Sequence, residues 1–513
     1  MNGARRGVRE VWDGSEAQLR KQWPVWVLAL GVYALAGVML VTRVRIPSPL
    51  HLIVFIMAAG VLSVTSLRIE WGVLALALMM PFARPGITIG TPKVFQISGF
   101  NFALVGVAMA YTLRYAVDAQ FASLGPILRR TRIDGTIFCF GFLVLLSGLW
   151  SFNINTDAYT HLRTLLFLKE QILYFLWFYL LVAILREPKD LRQFAVFFAI
   201  GGLIASLTGM ATRLAGGQAA ITAGTMGQNL EEGAGGRMEG GWLGLSHPNM
   251  FAALLLMTIP IWFFAVSHLK HGIRRIVAEV AVINGLLGLL FTYSRSAWLG
   301  SVFGLGLVGL ADRRALSRII LFVLIFAVAA QTIVMFTIDM NLTEVVINRI
   351  EQLEESTFSS RPYIYRSAMT VIRAHPLLGV GLGAFSAHAP ATPMGWRPTH
   401  SHNVYLAYAA EAGLPAAFFF ALFVLRLIVM SVQNLRNVGR VPGYGFIALG
   451  SCGALTGITV QTMAVQVFHQ RILGFVFYAL AAVVVAMHRM HQEGKFDDLA
   501  TSGVDAQSRV WVA

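Results

Sequence analysis

Three short stretches of this sequence carry residues that could do chemistry on an anionic substrate. In Thr399-His400-Ser401-His402-Asn403-Val404, two histidines stand two apart at the mouth of an apolar run, followed by Glu411-Ala412-Gly413-Leu414-Pro415. An imidazole titrates near neutral pH, so either His400 or His402 can serve as a general base toward a hydroxyl. Capping of the following helix is the plainer role for the same histidine. A metal site is poorly supported, because no further His or Cys is close in sequence and a third ligand would have to come from far away. The second stretch, Ser359-Ser360-Arg361-Pro362-Tyr363-Ile364-Tyr365-Arg366-Ser367, leads into an expected amphipathic helix over 368–374 that includes Arg373. Arg361 and Arg366 can present two planar forks to phosphate oxygens. The alternative is a solvated basic face paired with Glu351, Glu354 and Glu355. The third is Arg295, in Phe291-Thr292-Tyr293-Ser294-Arg295-Ser296-Ala297-Trp298, with almost no loop between two apolar runs. An arginine there binds an anion, pairs, or snorkels beside Tyr293 and Trp298.

Other motifs exclude chemistry. The glycines of His375-Pro376-Leu377-Leu378-Gly379-Val380-Gly381-Leu382-Gly383 permit tight turns. They follow no strand and lack a Gly-Lys-Ser/Thr ending, so they are neither a dinucleotide fingerprint nor a Walker loop. The glycine-rich stretch 224–241 fails the same tests, and both read as structural loops. The expected outer loops contain no Asp-x-Asp, and Asp497-Asp498 falls in the C-terminal tail, which argues against a metal-dependent sugar-nucleotide transferase.

These residues must be positioned by membrane helices. Of the 513 residues, 57% are hydrophobic and 13% charged, whereas a soluble domain has about 25% charged residues. A soluble chain of this length needs more charged surface than that, so the composition points to a polytopic membrane protein. The two cysteines, Cys139 and Cys452, sit in apolar runs and suggest neither a disulfide framework nor a zinc site. Apolar runs at 24–41, 49–66, 69–83, 97–113, 133–151, 165–185, 193–212, 247–267, 275–292, 296–311, 316–338, 403–430, 443–463 and 466–488 predict an all-α transmembrane bundle of about 12–14 spans. The net charge of +15 fits basic residues gathered in cytoplasmic loops better than it fits nucleic-acid binding. With the N-terminus inside, the inner segments carry Arg114, Arg129, Arg130, Arg132, Arg186, Lys189, Arg192, Lys270, Arg274, Arg275, Arg313, Arg314, Arg318, Arg436 and Arg440. Both termini then lie in the cytoplasm, and two long loops, 213–246 and 339–402, lie outside. The expected organisation is a cytoplasmic segment 1–23, an N-terminal membrane region 24–246, a catalytic region 247–488 that includes the outer loop 339–402, and a cytoplasmic tail 489–513.

Taken in order, Ser294-Arg295-Ser296, Arg361, His375-Pro376 with Gly379-Val380-Gly381, His402-Asn403 and Glu411-Ala412-Gly413-Leu414 resemble the O-antigen ligase and polymerase superfamily of bacterial inner membranes. Ser246-His247-Pro248-Asn249 resembles a further element of that family, and the likeness covers roughly 245–430. The resemblance implies a GT-C type glycosyltransferase that takes a glycan from undecaprenyl diphosphate and transfers it, with inversion, to an acceptor hydroxyl on the periplasmic side. It implies no metal and no cofactor. By position, Arg295, Arg361 and His402 correspond to the family's two catalytic arginines and its histidine. Arg366, Arg373, His400, Tyr293, Glu411 and Asn403 are expected to contact substrate around them.

The implied partners are the lipid-linked glycan donor, a glycan or lipid A-core acceptor, and membrane lipid, with no nucleic acid. A ligase and a polymerase that joins lipid-linked repeats differ only in acceptor, and the sequence leaves both open. A transporter or flippase is the reading from another class. It would use ionisable residues within the membrane, for which Lys169, Glu170 and Arg426 are the candidates.

Overall fold

The computed structural model describes residues 49–82, 86–89, 95–118, 122–123, 126–214, 247–270, 272–292, 294–313, 315–317, 361–393, 395–469 and 471–497, with isolated positions at 319–328 and Leu499. The helices are α1 (Pro49–Leu67), α2 (Ile69–Met79), α3 (Gly99–Val117), α4 (Asp134–Ile154), α5 (Ala158–Ile184), α6 (Pro188–Leu214), α7 (Pro248–His268), α8 (Ile273–Phe291), α9 (Arg295–Ala311), α10 (Arg361–Ala374), α11 (Val404–Ala412), α12 (Leu414–Val438), α13 (Gly445–Thr462) and α14 (Arg471–Gln492). Among the described residues, eight helices are long and apolar enough to cross a membrane: α3 to α7 and α12 to α14. The architecture is the expected all-α polytopic bundle.

Several spans differ from their expected form. The run expected at 24–41 lies outside the described residues, as does most of 316–338. The run at 69–83 forms an 11-residue helix and a short helical turn. Eleven residues rise only about 16 Å, half of a bilayer core of about 30 Å. A small antiparallel ribbon, β1 (Gly86–Ile89) with β2 (Phe95–Ser98), follows it and pairs Gly86 with Ser98. The run at 403–430 is two helices, because Gly413 between them has φ 89°. A Cβ at Gly413 would run into the Leu377 carbonyl oxygen, so the break needs glycine for both conformation and space.

The bundle is built around α14, whose side chains from Ile472 to Met487 are buried all round. A helix apolar on every face belongs at the centre, and α14 packs against α5, α6, α7, α12 and α13. Glycines set another close crossing. Gly300 and Gly304 of α9 lie against the carbonyls of Gly457 and Gly453 of α13, so these antiparallel backbones approach without side chains between them. The same pairing, continued five residues, brings Arg295 level with Thr462.

Candidate functional site

At one end of the bundle, α4 finishes at Ile154 and α5 begins at Ala158. The sequence pattern places the start of α5 near 165, where the hydropathy rises. The structure begins it earlier because the Asp157 side chain accepts from the Thr160 backbone N–H at 2.7 Å, a cap that contributes about 1 kcal/mol. The added turns carry His161 and Arg163, two groups at this end that hydropathy alone misses. Asp157 itself is the signal that could have found them.

The segment 375–412 folds onto this end. Asn155 Nδ2 donates to the Val380 carbonyl at 3.0 Å and Thr164 Oγ1 to the Leu382 carbonyl at 3.0 Å. Arg163 Nη1 donates to Ser386 Oγ at 2.9 Å, and His388 Nε2 lies 2.8 Å from Asn155 Oδ1. Gly379, Gly381 and Gly383 all have positive φ, and the Gly381 N–H reaches the Glu411 carbonyl at 2.8 Å. The glycine-rich stretch is therefore a structural loop. Residues Ala368, Val371, Ile372, Val380, Phe385 and Ala410 close a small core beneath it, separate from that of the bundle.

His402 has φ 52°, the one positive φ outside glycine among the described residues. Such a conformation costs free energy and persists where the surroundings dictate it. Here they do. The next residue, Asn403, caps α11 by accepting from the N–H groups of Tyr405 (2.8 Å) and Leu406 (3.1 Å), and its Nδ2 donates to the Met463 carbonyl at 2.9 Å. The helix cap is Asn403, which releases His402 from that duty. On the other side, Ser401 binds Gln466 Oε1 through both its N–H and its hydroxyl, each at 3.2 Å.

Electrostatics place the remaining groups. Burial, and then the Arg361 guanidinium, hold the His402 imidazole below its ordinary pKa, so the Arg361 charge lies within electrostatic range of His402. His400 is pushed down to about 4 by burial, followed by His402, Arg163 and His247. The two rings lie 6.5 Å apart between centroids. His247 caps α7, its Nδ1 accepting from the Asn249 N–H at 3.2 Å, and Gln461 Nε2 of α13 donates to the Asn249 carbonyl at 2.9 Å. Arg295 opens α9 at this same end, half-buried, with Nη1 out of contact with solvent. Trp298 Nε1 donates to the Leu289 carbonyl at 3.1 Å, which clasps α9 to α8 beside it.

Other expected site residues are placed differently. Arg366 and Arg373 are exposed on α10, and Arg366 lies over the Tyr363 ring at 6.0 Å. Neither is among the groups that shift His400 or His402. Glu411, 7% exposed, directs its carboxylate at the N–H groups of Gly383 and Phe385, away from solvent. Burial pushes it up to about 7, against the pull of those N–H groups and of Arg163; it lies in α11, before the crossing helix α12 begins. Tyr293, Glu351, Glu354, Glu355 and the stretch 224–241 lie outside the described residues.

Among the described residues, α5, α7, α9 and α11 direct their N-termini at this end and so add partial positive charge to that of the three arginines. Among the described residues, its acids are Asp157, spent on its cap, and Glu411. The arrangement suits an anion held next to a neutral imidazole.

The family model for O-antigen ligase matches residues 280–421, a segment that contains Arg295, Arg361, His400, His402 and Glu411. No curated protein matches the chain.

Proposed function

We propose that this chain, a multi-pass membrane protein whose residues 280–421 match the O-antigen ligase family model, transfers a glycan from undecaprenyl diphosphate to an acceptor hydroxyl at the periplasmic face of the bacterial inner membrane. The observation that carries the reading is the strained turn at His402, on which the Arg361 charge acts, at the end where Arg295 opens α9. Arg295 and Arg361 hold the diphosphate oxygens. As the bond from the anomeric carbon to the phosphate oxygen breaks, the electron pair leaves with the lipid diphosphate, and the guanidinium charges stabilise it. His402 takes the proton of the acceptor hydroxyl, whose oxygen forms the new bond from the opposite face and inverts the centre. An imidazole held neutral by burial and by Arg361 is free to accept that proton. His400, pushed down to about 4, is the weaker base, which favours His402 for the role.

An apolar groove of about 350 Å³ between α4 and α5, lined by Ile137, Phe142, Leu145, Leu168, Ile172 and Phe175, supports a lipid-tailed donor. The candidates for a transport path are locally engaged. Lys169 Nζ pairs with Glu170 at 3.0 Å, and Arg426 Nη1 donates to Thr136 Oγ1 at 2.7 Å.

The test is transfer by the purified protein in liposomes, supplied with undecaprenyl-diphosphate-linked glycan and either lipid A-core or a second lipid-linked repeat. Arg295→Ala, Arg361→Ala and His402→Ala are each expected to abolish most transfer, and His400→Ala to cost less. Near-normal transfer by all three would end the mechanism. The acceptor that is consumed separates ligase from polymerase.

A further inference from the structure

We propose that Arg163 is a positioning residue: together with Ser386 and Glu411 it ties the first turns of α5 to α11 and so fixes the His402 turn in place. Arg163 lies well outside the matched segment, yet its side chain meets that segment in several places. Its Nη1 donates to Ser386 Oγ at 2.9 Å. Its Cβ lies 3.6 Å from where a Cβ on Gly383 would stand, so the glycine loop rests directly on it. The N–H groups of Gly383 and Phe385 both turn to the Glu411 carboxylate, on which the Arg163 charge also acts.

The groups facing that carboxyl are Arg163 from α5, the two N–H groups from the loop, and Tyr408 on its own helix. The main chain of Glu411 is held as well, its carbonyl accepting from Ser147 Oγ of α4 at 2.7 Å and from Gly381 N–H at 2.8 Å. Without the Arg163 charge, a carboxyl this buried retains its proton near neutrality and becomes a poorer acceptor for the loop. Glu411 sits in the last turn of α11 and His402 stands just before its first, a span of nine residues or about 14 Å. A tilt of so short a rod carries the imbalance straight to His402. Arg163 also lies within charge range of His400, so the tie borders the site.

The activity arm of the test rests on the proposed transfer; the exchange arm does not. The full-length protein in nanodiscs is compared with Arg163→Met, Arg163→Lys, Glu411→Gln and the double variant Arg163→Met/Glu411→Gln. Amide hydrogen exchange in the 381–386 stretch is expected to quicken about tenfold in Arg163→Met and Glu411→Gln. It should stay unchanged in Thr370→Ala, a substitution on the exposed face of α10. In transfer, Arg163→Met should lose about 100-fold in kcat with KM little changed, Lys should recover most of it, and the double variant should be no worse than the poorer single. Unchanged exchange, or losses that multiply in the double variant, overturns the tie. If the unmodified protein performs no transfer, the proposed function fails while the exchange result still decides the role of Arg163.

Discussion

The two ends of α5 use their charges in opposite ways. Where it finishes, cations are consumed by structure. Arg489 donates to the carbonyls of Val182 (2.8 Å) and Leu185 (2.6 Å) and faces Glu493 at 3.6 Å. Lys495 binds the Arg186 carbonyl at 2.8 Å, Glu187 at 2.9 Å and Glu493 at 3.2 Å, and Arg129 reaches Glu493 at 3.9 Å. These contacts satisfy the open carbonyls of a helix C-terminus, where positive charge is favoured. Where α5 begins, the charges that shift one another are Arg163, Arg361 and histidines, at helix N-termini that add to the same sign. Among the described residues, the acids at that end are Asp157, spent on its cap, and Glu411, so cations outnumber them. The difference teaches that the basic residues of the chain fall into two settings: closing helix ends on one side and, under the proposed function, gathering charge for an anionic substrate on the other.

Mutations should split along this line. The largest effect is expected for Arg295→Ala, Arg361→Ala and His402→Ala, each losing about 1,000-fold in transfer, with thermal unfolding little changed. Gly413→Ala comes next. Its φ of 89° and the Leu377 carbonyl leave no place for a methyl group, so a loss of about 3 kcal/mol is expected, read as a lowered unfolding midpoint. Arg489→Met should cost about 2 kcal/mol of stability by leaving two carbonyls without their donor, and should keep its turnover. Loss of transfer without loss of stability in that variant would erase the contrast between the ends.

A subtler outcome concerns pH. His402 must be neutral to accept a proton, and its lowered pKa keeps it neutral to a lower pH than an ordinary histidine. Arg361→Gln removes a positive neighbour, raises that pKa, and should move the acid limb of the residual activity upward. The smallest effects are expected for Arg366→Ala and Arg373→Ala, exposed on α10, as modest increases in KM.

How much of this was open to reading from the residues depends on the distance over which each signal acts. The crossing helices α4 to α7 and α12 to α14 followed from hydropathy, since a bilayer imposes length and apolarity on each helix separately, but the break at Gly413 inside the run 403–430 did not. The grouping of Lys169 with Glu170 also followed, because the two are adjacent. The start of α5 did not, because a polar cap and two polar turns outweigh hydropathy there. Nor did the role of Asn403, expected beside the substrate, which makes the helix cap that a histidine was the alternative candidate for. Arg163 was missed for the plainest reason: its partners Ser386 and Glu411 lie more than two hundred residues away along the chain.

The sequence alone therefore determined the membrane class, the all-α bundle and the choice of Arg295, Arg361, His400 and His402 for testing, but not that of Arg163. Composition and order act residue by residue, and they survive without any knowledge of contacts. Only the tertiary structure decided which charges share one end, which histidine adopts a strained turn, and what holds it there. Those outcomes depend on helices crossing at glycines and on carbonyls and carboxylates buried together, interactions made between segments that the sequence keeps apart.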